Sequence, residues 1–372
     1  MRQFNTPMMQ QYQEIKLEHP DTILLFRMGD FYEMFLDDAI QSSRILSIAL
    51  TNRSKGQDGE IPMCGVPYHA LDNYLPKLVK SGVKVAICEQ LEDPKEAKGL
   101  VKRGVVRILT PGTIYEESIL DNKTYNYLAT FKYNQKTKSG IITYIDISTG
   151  DFNYSSHSNL SLPKLIELLA KVNPNEVVLL ENDYNNPEII KHLVNYRLNA
   201  SNYKKEYNSK NITNSLIKLK KFFNVTNLSA FKIDENNVDL VQSIELIIDY
   251  LEYTHKESLD HITSIKEIDD NDSFKLDIHT INNLEILSSQ IAENIYNKGD
   301  ASFISVIDKT CTPMGARLLR NNLITLSKNI ESLRQKHIAI DELMENSSLK
   351  LEIDTILKSI GDIPRLSAKV NS

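Results

Sequence analysis

The chain has 372 residues, of which 41% are hydrophobic and 25% are charged, and its formal net charge at pH 7 is -6. This composition is typical of a globular protein with two or three domains, and it excludes a surface coated with positive charge for nonspecific binding to nucleic acid. No run of about 18 apolar residues occurs, so we expect no membrane span. The three cysteines lie far apart without paired spacing, which predicts buried thiols in a reducing cytoplasm: Cys64, Cys88 and Cys311.

The first part of the chain alternates short apolar runs with a helical pattern. The run "DTILLFRM" predicts a buried strand. Asp30 then stands at the position of a helix N-cap, and Glu33 completes an acidic form of the capping box, which predicts a helix through "FYEMFLDDAIQSSRILSIAL". "VKVAICEQL" and "GVVRILT" predict further strands. These elements predict an α/β domain with a mixed sheet over residues 1–113, ending at "TPGT", where proline and glycine break the chain.

The remainder of the chain predicts a linker and two further domains. Residues 114–124 are polar and acidic, as expected of a linker. Residues 125–258 predict a second α/β domain, with strands in "TYNYLATFKYN", "SGIITYIDISTGDFNYSS" and "PNEVVLLEN" and a helix in "SLPKLIELLAKV". Residues 259–372 keep an amphipathic helical pattern to the last residue, so we expect an incomplete all-α domain of a longer protein.

One run of the sequence is strongly basic. "DPKEAKGLVKRGVVRIL" contains five cations, Lys95, Lys98, Lys102, Arg103 and Arg107. Such a run favours either a local patch for a polyanion or a solvated loop whose lysines keep it in water. The sequence leaves both interpretations open.

Several stretches resemble the MutS family of DNA mismatch repair proteins, in its bacterial form. The stretches are "TPMMQQYQEIKLEHPDTILLFRMGDFYEMFLDDA", "IPMCGVPYHALDNYLPKLVKSGVKVAICEQLEDP", "GVVRILTPGT", "YIDISTGDF", "LDIHTINNLEIL" and "VIDKTCTPMGARLLRNNL". They occur in the family's order across nearly the whole chain. The resemblance implies a mismatch-binding domain, a connector with a ribonuclease H-like fold and the start of an α-helical lever domain.

The same resemblance assigns roles to Phe31 and Glu33. Phe31 would enter the minor groove of DNA and stack on a mispaired or unpaired base, and Glu33 would hydrogen-bond to that base. The alternative from local physics is a well-capped helix start in which Glu33 favours the helix dipole. The two interpretations are compatible if Glu33 caps in the free protein and contacts a base in the complex.

Seven further residues complete the DNA surface that the resemblance implies. Met28, Gly29 and Asp30 would shape the turn that carries Phe31, with Gly29 allowing close approach of the backbone. Four others would contact the DNA backbone or groove: Arg53, Met63, Arg103 and Arg107. The alternatives are core packing for the two methionines and surface ion pairs for the arginines.

Two rival functions come from other classes. The strand with Asp146 resembles the first strand of ribonuclease H-like nucleases, in which several acids hold two metal ions. Asp151, Glu181 and Asp183 are available, but no spacing joins them, so we expect no nuclease and no metal site. The other rival is a MutS-like scaffold that binds partners or branched DNA without distinguishing mismatches.

No GxxxxGK[ST] motif occurs, so we expect no nucleotide-binding loop and no enzyme activity in this chain. The resemblance implies that full-length members are ATPases, with ATP and Mg²⁺ in a carboxy-terminal domain. It also implies a homodimer, mismatched double-stranded DNA and MutL as partners, no membrane, and a location in the bacterial cytoplasm at the nucleoid.

Overall fold

The computed structural model describes most of the chain in two compact units. The described residues are 4–53, 59–92, 99–116, 118–205, 212–255, 259–268, 273–289 and 301–370. The first unit comprises Met1–Leu120 with Ile248–Ser258, and the second comprises Asp121–Ile247 with Leu259–Ser372. The domain boundaries expected from the sequence stay a prediction.

The first unit contains a mixed sheet between helices. The strands described in it are β1 (Thr22–Met28), β2 (Phe31–Phe35), β3 (Thr51–Arg53), β4 (Ile61–Pro67), β5 (Lys84–Gln90) and β6 (Arg103–Leu109). The helices that precede or separate them are α1 (Pro7–Glu18), α2 (Leu36–Leu46) and α3 (Leu71–Lys80). The strand order is β3-β4-β2-β1-β5-β6, in which β1 and β5 are parallel and the other neighbours are antiparallel. The predicted mixed-sheet α/β architecture is therefore confirmed.

Each face of this sheet has its own core, because side chains alternate between the faces along a strand. Tyr32 and Met34 of β2 pack with residues of α2 and α3. Phe35, on the opposite face, packs with Phe26 and with Tyr12 of α1. Alternation thus puts Phe31, Glu33 and Phe35 on the face that α1 covers.

The predicted helix start at Asp30 is wrong. Residues Phe31–Phe35 form strand β2, and α2 begins only at Leu36, with Phe35 at its N-cap and no capping side chain. The capping-box spacing is present, but pairing of β2 with both β1 and β4 fixes these residues in extended conformation. Long-range strand pairing therefore overrides the local helix signal.

The second unit contains a second six-stranded sheet. Its strands are β7 (Tyr127–Asn134), β8 (Ser139–Asp146), β9 (Asp151–His157), β10 (Glu176–Leu180), β11 (Ala200–Tyr203) and β12 (Lys266–Glu267), in the order β11-β10-β7-β8-β9-β12. The helices that follow along the chain are α4 (Leu162–Val172), α5 (Glu181–Tyr184), α6 (Pro187–Asn195), α7 (Thr213–Phe222) and α8 (Val238–Thr254), of which α8 belongs to this unit only as far as Ile247. Ile142 of β8 packs with α4 and α6, whereas its neighbour Thr143 hydrogen-bonds to Ser243 of α8 at 2.8 Å. The strands and the α4 helix predicted here are confirmed.

The last part of the second unit is mainly helical. Its helices are α9 (Ile278–Asn283), α10 (Phe303–Ile307), α11 (Pro313–Ile324), α12 (Ile330–Glu345), α13 (Ser347–Ser359) and α14 (Ile363–Val370). A two-stranded ladder joins β13 (Ser273–Lys275) to β14 (Thr325–Ser327), so short strands accompany the predicted helices. None of the helices in the described part of the chain has the length and hydropathy needed to cross a membrane.

The cysteines differ from one another in burial. Cys64 and Cys88 are buried as predicted, and burial raises the pKa of these thiols to about 11 and about 12 respectively. Cys311 is only partly buried, so the prediction of a buried thiol is wrong there. Cys311 lies in the short connection between α10 and α11.

Candidate functional site

The hairpin between β1 and β2 presents an aromatic ring to solvent. Met28 pairs with Phe31, and Gly29 and Asp30 form the turn between them. Gly29 has a φ of +56°, a conformation that costs glycine little, and a Cβ there would meet no heavy atom within 4 Å. Phe31 is 46% exposed, although aromatic side chains usually find cover. A two-residue turn between paired strands therefore presents a large apolar side chain to water.

Glu33 lies on the same face of β2 as Phe31, and its carboxylate is poorly partnered. Its strand neighbours are Phe26 and Gly65, and the absence of a side chain at Gly65 leaves room for the carboxylate stem. The Oε2 atom is buried and accepts no hydrogen bond from any described residue. Burial raises the pKa of Glu33, while the charges of Arg53 and Arg103 oppose the rise. This is a half-buried acceptor that still lacks a donor.

Arg53 is the cation that lies beside this carboxylate. Its Nη1 atom is 3.9 Å from Oε2 of Glu33 and 3.9 Å from Sδ of Met28. Met28 and Met63 are partly buried and pack against the core on the α1 face of the sheet. This packing agrees with the core alternative for both methionines, and their contact with DNA stays a prediction.

Arg103 lies on the same sheet face, where its guanidinium bonds to the protein. Its Nε donates to the carbonyl of Arg27 at 2.7 Å, and its Nη1 donates to Gln11 and to the carbonyl of Val101, each at 3.0 Å. The guanidinium also lies 5.0 Å from the centre of the Phe26 ring, and burial lowers its pKa. Arg103 therefore braces β1 close to the turn of the hairpin, and its contact with DNA stays a prediction.

Arg107 lies on the other face of the sheet. A β-bulge between Ile87 and Cys88 shifts the register of β5 against β6, so Arg107 pairs with Ile87. There it forms an ion pair with Glu116 and lies 4.8 Å from the Tyr115 ring centre. The surface ion pair weighed for the arginines is present here, and Arg107 does not join Phe31 and Glu33.

The basic run does not form one patch within the described residues. Lys95 and Lys98 lie outside them. Lys102 is exposed, Arg103 is braced on the α1 face, and Arg107 is on the opposite face. The described cations of this run therefore lie at different places on the first unit and form no common patch.

Two of the acids available for nuclease chemistry, Asp146 and Asp151, accept hydrogen bonds within the protein. Asp146 is fully buried and accepts hydrogen bonds from the Asn126 amide at 3.0 Å, and from the Ser148 amide and hydroxyl at 2.8 and 2.6 Å. Asp151 accepts from Tyr127 at 3.0 Å. In the described parts of the chain, no three His, Cys, Asp or Glu side chains are grouped so as to hold a metal ion. Asp146 thus closes the turn between β8 and β9.

Two residues beside the hairpin were not singled out from the sequence. Arg27, the last residue but one of β1, lies with its guanidinium 3.9 Å from the ring centre of Tyr68. Tyr68 follows β4 and its amide donates to the Asp30 carbonyl at 2.9 Å. The pairing of β2 with β4 brings Tyr68 next to the turn. No local spacing in the sequence indicates that Arg27 and Tyr68 meet.

Comparison with known proteins accounts for nearly the whole chain. The models of MutS domain I, MutS domain II and MutS domain III match residues 6–118, 126–263 and 279–372. Proteins named DNA mismatch repair protein MutS are 38% identical in Clostridioides difficile, 40% in Caldanaerobacter subterraneus and 37% in Flavobacterium johnsoniae. Each match covers 98% of this chain but only 37%, 41% and 40% of the respective relative, so the chain spans about two fifths of their length. This protein chain belongs to the MutS family, with domains I, II and III in that order.

Proposed function

We propose that this chain recognises mispaired and unpaired bases in duplex DNA and thereby initiates mismatch repair. The observation that carries the proposal is the pairing of an exposed aromatic, Phe31, with a donor-poor carboxylate, Glu33, on one strand face of a MutS domain I. In this proposal Phe31 enters the minor groove and stacks on the base, and Glu33 accepts a hydrogen bond from the same base.

Stacking by Phe31 selects base steps that unstack easily, and it does not select a particular base sequence. A mispaired step is easier to unstack and kink than a paired one, so an inserted ring gains more there. Stacking of a base on an aromatic side chain contributes about 1–3 kcal/mol. The exposure of Phe31 in the free protein means that little packing is lost when the ring enters DNA.

Glu33 supplies discrimination by penalising the wrong duplex. A carboxylate near DNA repels the phosphates, which lowers the affinity for any duplex. This electrostatic cost is offset only where a hydrogen-bond donor of a base reaches the carboxylate. In the free protein the Oε2 atom of Glu33 is buried and accepts no hydrogen bond from the described residues. In the proposed complex the carboxylate turns towards the base, which supplies the missing donor. A displaced base with a free donor satisfies the atom, whereas a well-paired base does not.

The remaining predicted residues support these two. Gly29 and Asp30 shape the turn, Met28 and Arg53 flank Glu33, and Met63 and Arg103 lie on the same sheet face. We propose groove or backbone contacts for Arg53 and Met63 and a bracing role for Arg103. The DNA contact predicted for Arg107 has less support, because its ion pair with Glu116 lies on the opposite face.

At the level of the whole protein, the proposal follows the family. The connector would be ribonuclease H-like and the lever α-helical. ATP and Mg²⁺ would be bound by a carboxy-terminal domain of a longer protein, which would dimerise and recruit MutL. In this proposal the protein works on chromosomal DNA in the bacterial cytoplasm, associated with the nucleoid.

The test is the affinity for a G·T heteroduplex against a matched homoduplex at fixed salt, for the chain and for Phe31→Ala. We expect Phe31→Ala to lower the preference by about tenfold, since about 1.4 kcal/mol of lost stacking corresponds to a factor of ten. Phe303→Ala is the matched control, because Phe303 is an exposed phenylalanine on α10. A preference that is absent, or that survives Phe31→Ala, would favour the scaffold function instead.

A further inference from the structure

We propose that Arg27 is a positioning residue that holds the hairpin turn carrying Phe31, and that it sets mismatch preference without contacting DNA. The inference rests on the proposed function for its effect on DNA. Its structural half concerns the free protein and is measurable without DNA.

Arg27 binds one carbonyl of the turn directly. Its Nε donates to the carbonyl oxygen of Gly29 at 2.5 Å. Gly29 is the residue with positive φ, so its peptide group is the part of the turn with the most conformational freedom. A charged donor on that carbonyl restricts the peptide group and fixes the direction in which β2 starts.

Arg27 stacks on Tyr68, whose backbone amide binds the second carbonyl of the turn. The guanidinium carbon lies 3.9 Å from the Tyr68 ring centre and 5.4 Å from the Tyr32 ring centre, within the range of cation–π attraction. The Tyr68 amide in turn donates to the Asp30 carbonyl at 2.9 Å. Both carbonyl groups of the turn before Phe31 are therefore connected to one guanidinium.

The charge of Arg27 is balanced within the protein. Its Nη1 lies 3.6 Å from Oε1 of Glu89, and Glu89 also accepts a hydrogen bond from the Tyr32 hydroxyl. The side chain of Arg27 is only 17% exposed. Its planar group is thus engaged by a carbonyl, a ring and a carboxylate of the protein, which leaves it little surface for a phosphate.

These contacts require arginine and not merely a cation. Lysine keeps the charge but lacks the Nε donor and the flat face that stacks on Tyr68. If Arg27 only contributed positive potential towards DNA, Arg27→Lys would preserve function. If Arg27 positions the turn, Arg27→Lys and Arg27→Gln will behave alike.

The first measurement is amide hydrogen exchange in the free 372-residue chain. We expect both variants to exchange about tenfold faster at the amides of Phe31 and Tyr68, with the rest of the first unit unchanged, because local opening of the turn becomes easier. Arg44→Gln is the matched control, since Arg44 is exposed on α2. Unchanged exchange at both amides in both variants would overturn the inference.

The second measurement is the heteroduplex preference of the same proteins beside Phe31→Ala. We expect Arg27→Lys and Arg27→Gln each to lower the preference by about fivefold, mainly through weaker heteroduplex binding, because a disordered turn must be ordered on binding. Faster amide exchange together with an unchanged heteroduplex preference would overturn the inference. A preference that Arg27→Lys retains and Arg27→Gln loses would overturn it as well. If the unsubstituted chain shows no preference, the proposed function fails, and the exchange result alone decides whether Arg27 holds the turn.

Discussion

The Oε2 atom of Glu33 lies 3.9 Å from Nη1 of Arg53, which is beyond hydrogen-bonding distance. The oxygen is buried and accepts no hydrogen bond from the described residues. A carboxylate desolvated in this way gains from any donor that reaches it, and the nearest cation is poorly placed to provide one. In the proposed complex the Glu33 side chain, which is 19% exposed in the free protein, turns its carboxylate towards the base, while Arg53 limits the cost of its charge.

Replacement of Glu33 by glutamine will weaken discrimination by strengthening homoduplex binding. Glu33→Gln removes one negative charge near the phosphates, so we expect homoduplex affinity to rise about two- to fivefold. Heteroduplex affinity will change less, because the lost repulsion is offset by a weaker acceptor for the base. Both affinities are measured at fixed salt, with Glu14→Gln on the exposed side of α1 as control. Unchanged homoduplex affinity would contradict this role of Glu33.

The raised pKa of Glu33 predicts a pH-dependent stability. Because burial raises its folded pKa above the ordinary value of 4.5, the unfolded chain loses this proton first, and ionisation costs the folded state stability as the pH rises. We therefore expect Glu33→Gln to match the unsubstituted chain at about pH 4 and to exceed its free energy of unfolding at about pH 8. Urea unfolding at a series of pH values measures the difference. If the two free energies of unfolding differ by the same amount at every pH, ionisation of Glu33 does not affect stability and the prediction is contradicted.

Arg103 and Arg107 will behave differently although they lie only four positions apart in the sequence. Arg103→Gln removes bonds to Arg27, Val101 and Gln11, so we expect a loss of about 1–3 kcal/mol in the free energy of unfolding and a lower mismatch preference. Arg107→Gln breaks an ion pair on the opposite face, so we expect lower stability with an unchanged preference. Equal effects of the two variants on preference would show that sheet face does not decide their roles.

A buried ion pair will control the stability of the second unit. Arg317 of α11 and Asp362 form two hydrogen bonds of 2.7 Å, and both side chains are at most 9% exposed. We expect Asp362→Asn to lower the free energy of unfolding by about 3 kcal/mol, because it leaves a buried guanidinium without its partner charge. The exposed Glu352→Gln on α13 is the control and should have little effect.

The same pair predicts acid sensitivity. Its hydrogen bonds and charge hold the pKa of Asp362 below the ordinary carboxyl value, although burial opposes them. The stabilisation is therefore present above the unfolded pKa and is lost as the pH falls through the lowered folded pKa. The free energies of unfolding of the unsubstituted chain and of Asp362→Asn should converge as the pH falls into the acid range. A difference that persists in acid would contradict this role of the ion pair.

Local sequence patterns predict the buried strands correctly, but they fail at the segment that carries Phe31 and Glu33. The apolar runs that became β1 and β5 are long enough to indicate buried strands, and α4 has a clear amphipathic period. Phe31–Phe35 carried a capping-box spacing and were assigned to a helix. Their extended conformation is fixed by pairing with the adjacent β1 and with the more distant β4, and no local pattern indicates the pairing with β4.

The family resemblance, and not strand alternation, indicates Phe31 and Glu33, because the local pattern at these residues predicts a helix. Phe31 and Glu33 are two residues apart, and in a strand this spacing puts them on one face. Arg103 and Arg107 would also share a face in a regular strand, but the bulge opposite Ile87 and Cys88 separates them. The contacts of Arg27 with Tyr68 and Glu89 join three strands or their ends, so only the folded structure reveals them.

The central claim is that the ring of residue 31 stacks on a mispaired base, and a single tryptophan at that position reports this directly. The chain contains no tryptophan, so Phe31→Trp introduces the only one. We expect its emission to be quenched by a G·T heteroduplex and to change little with the matched homoduplex, whereas Phe303→Trp on α10 should respond to neither. Equal responses of residue 31 to both duplexes, or no response at saturating heteroduplex, would contradict the account.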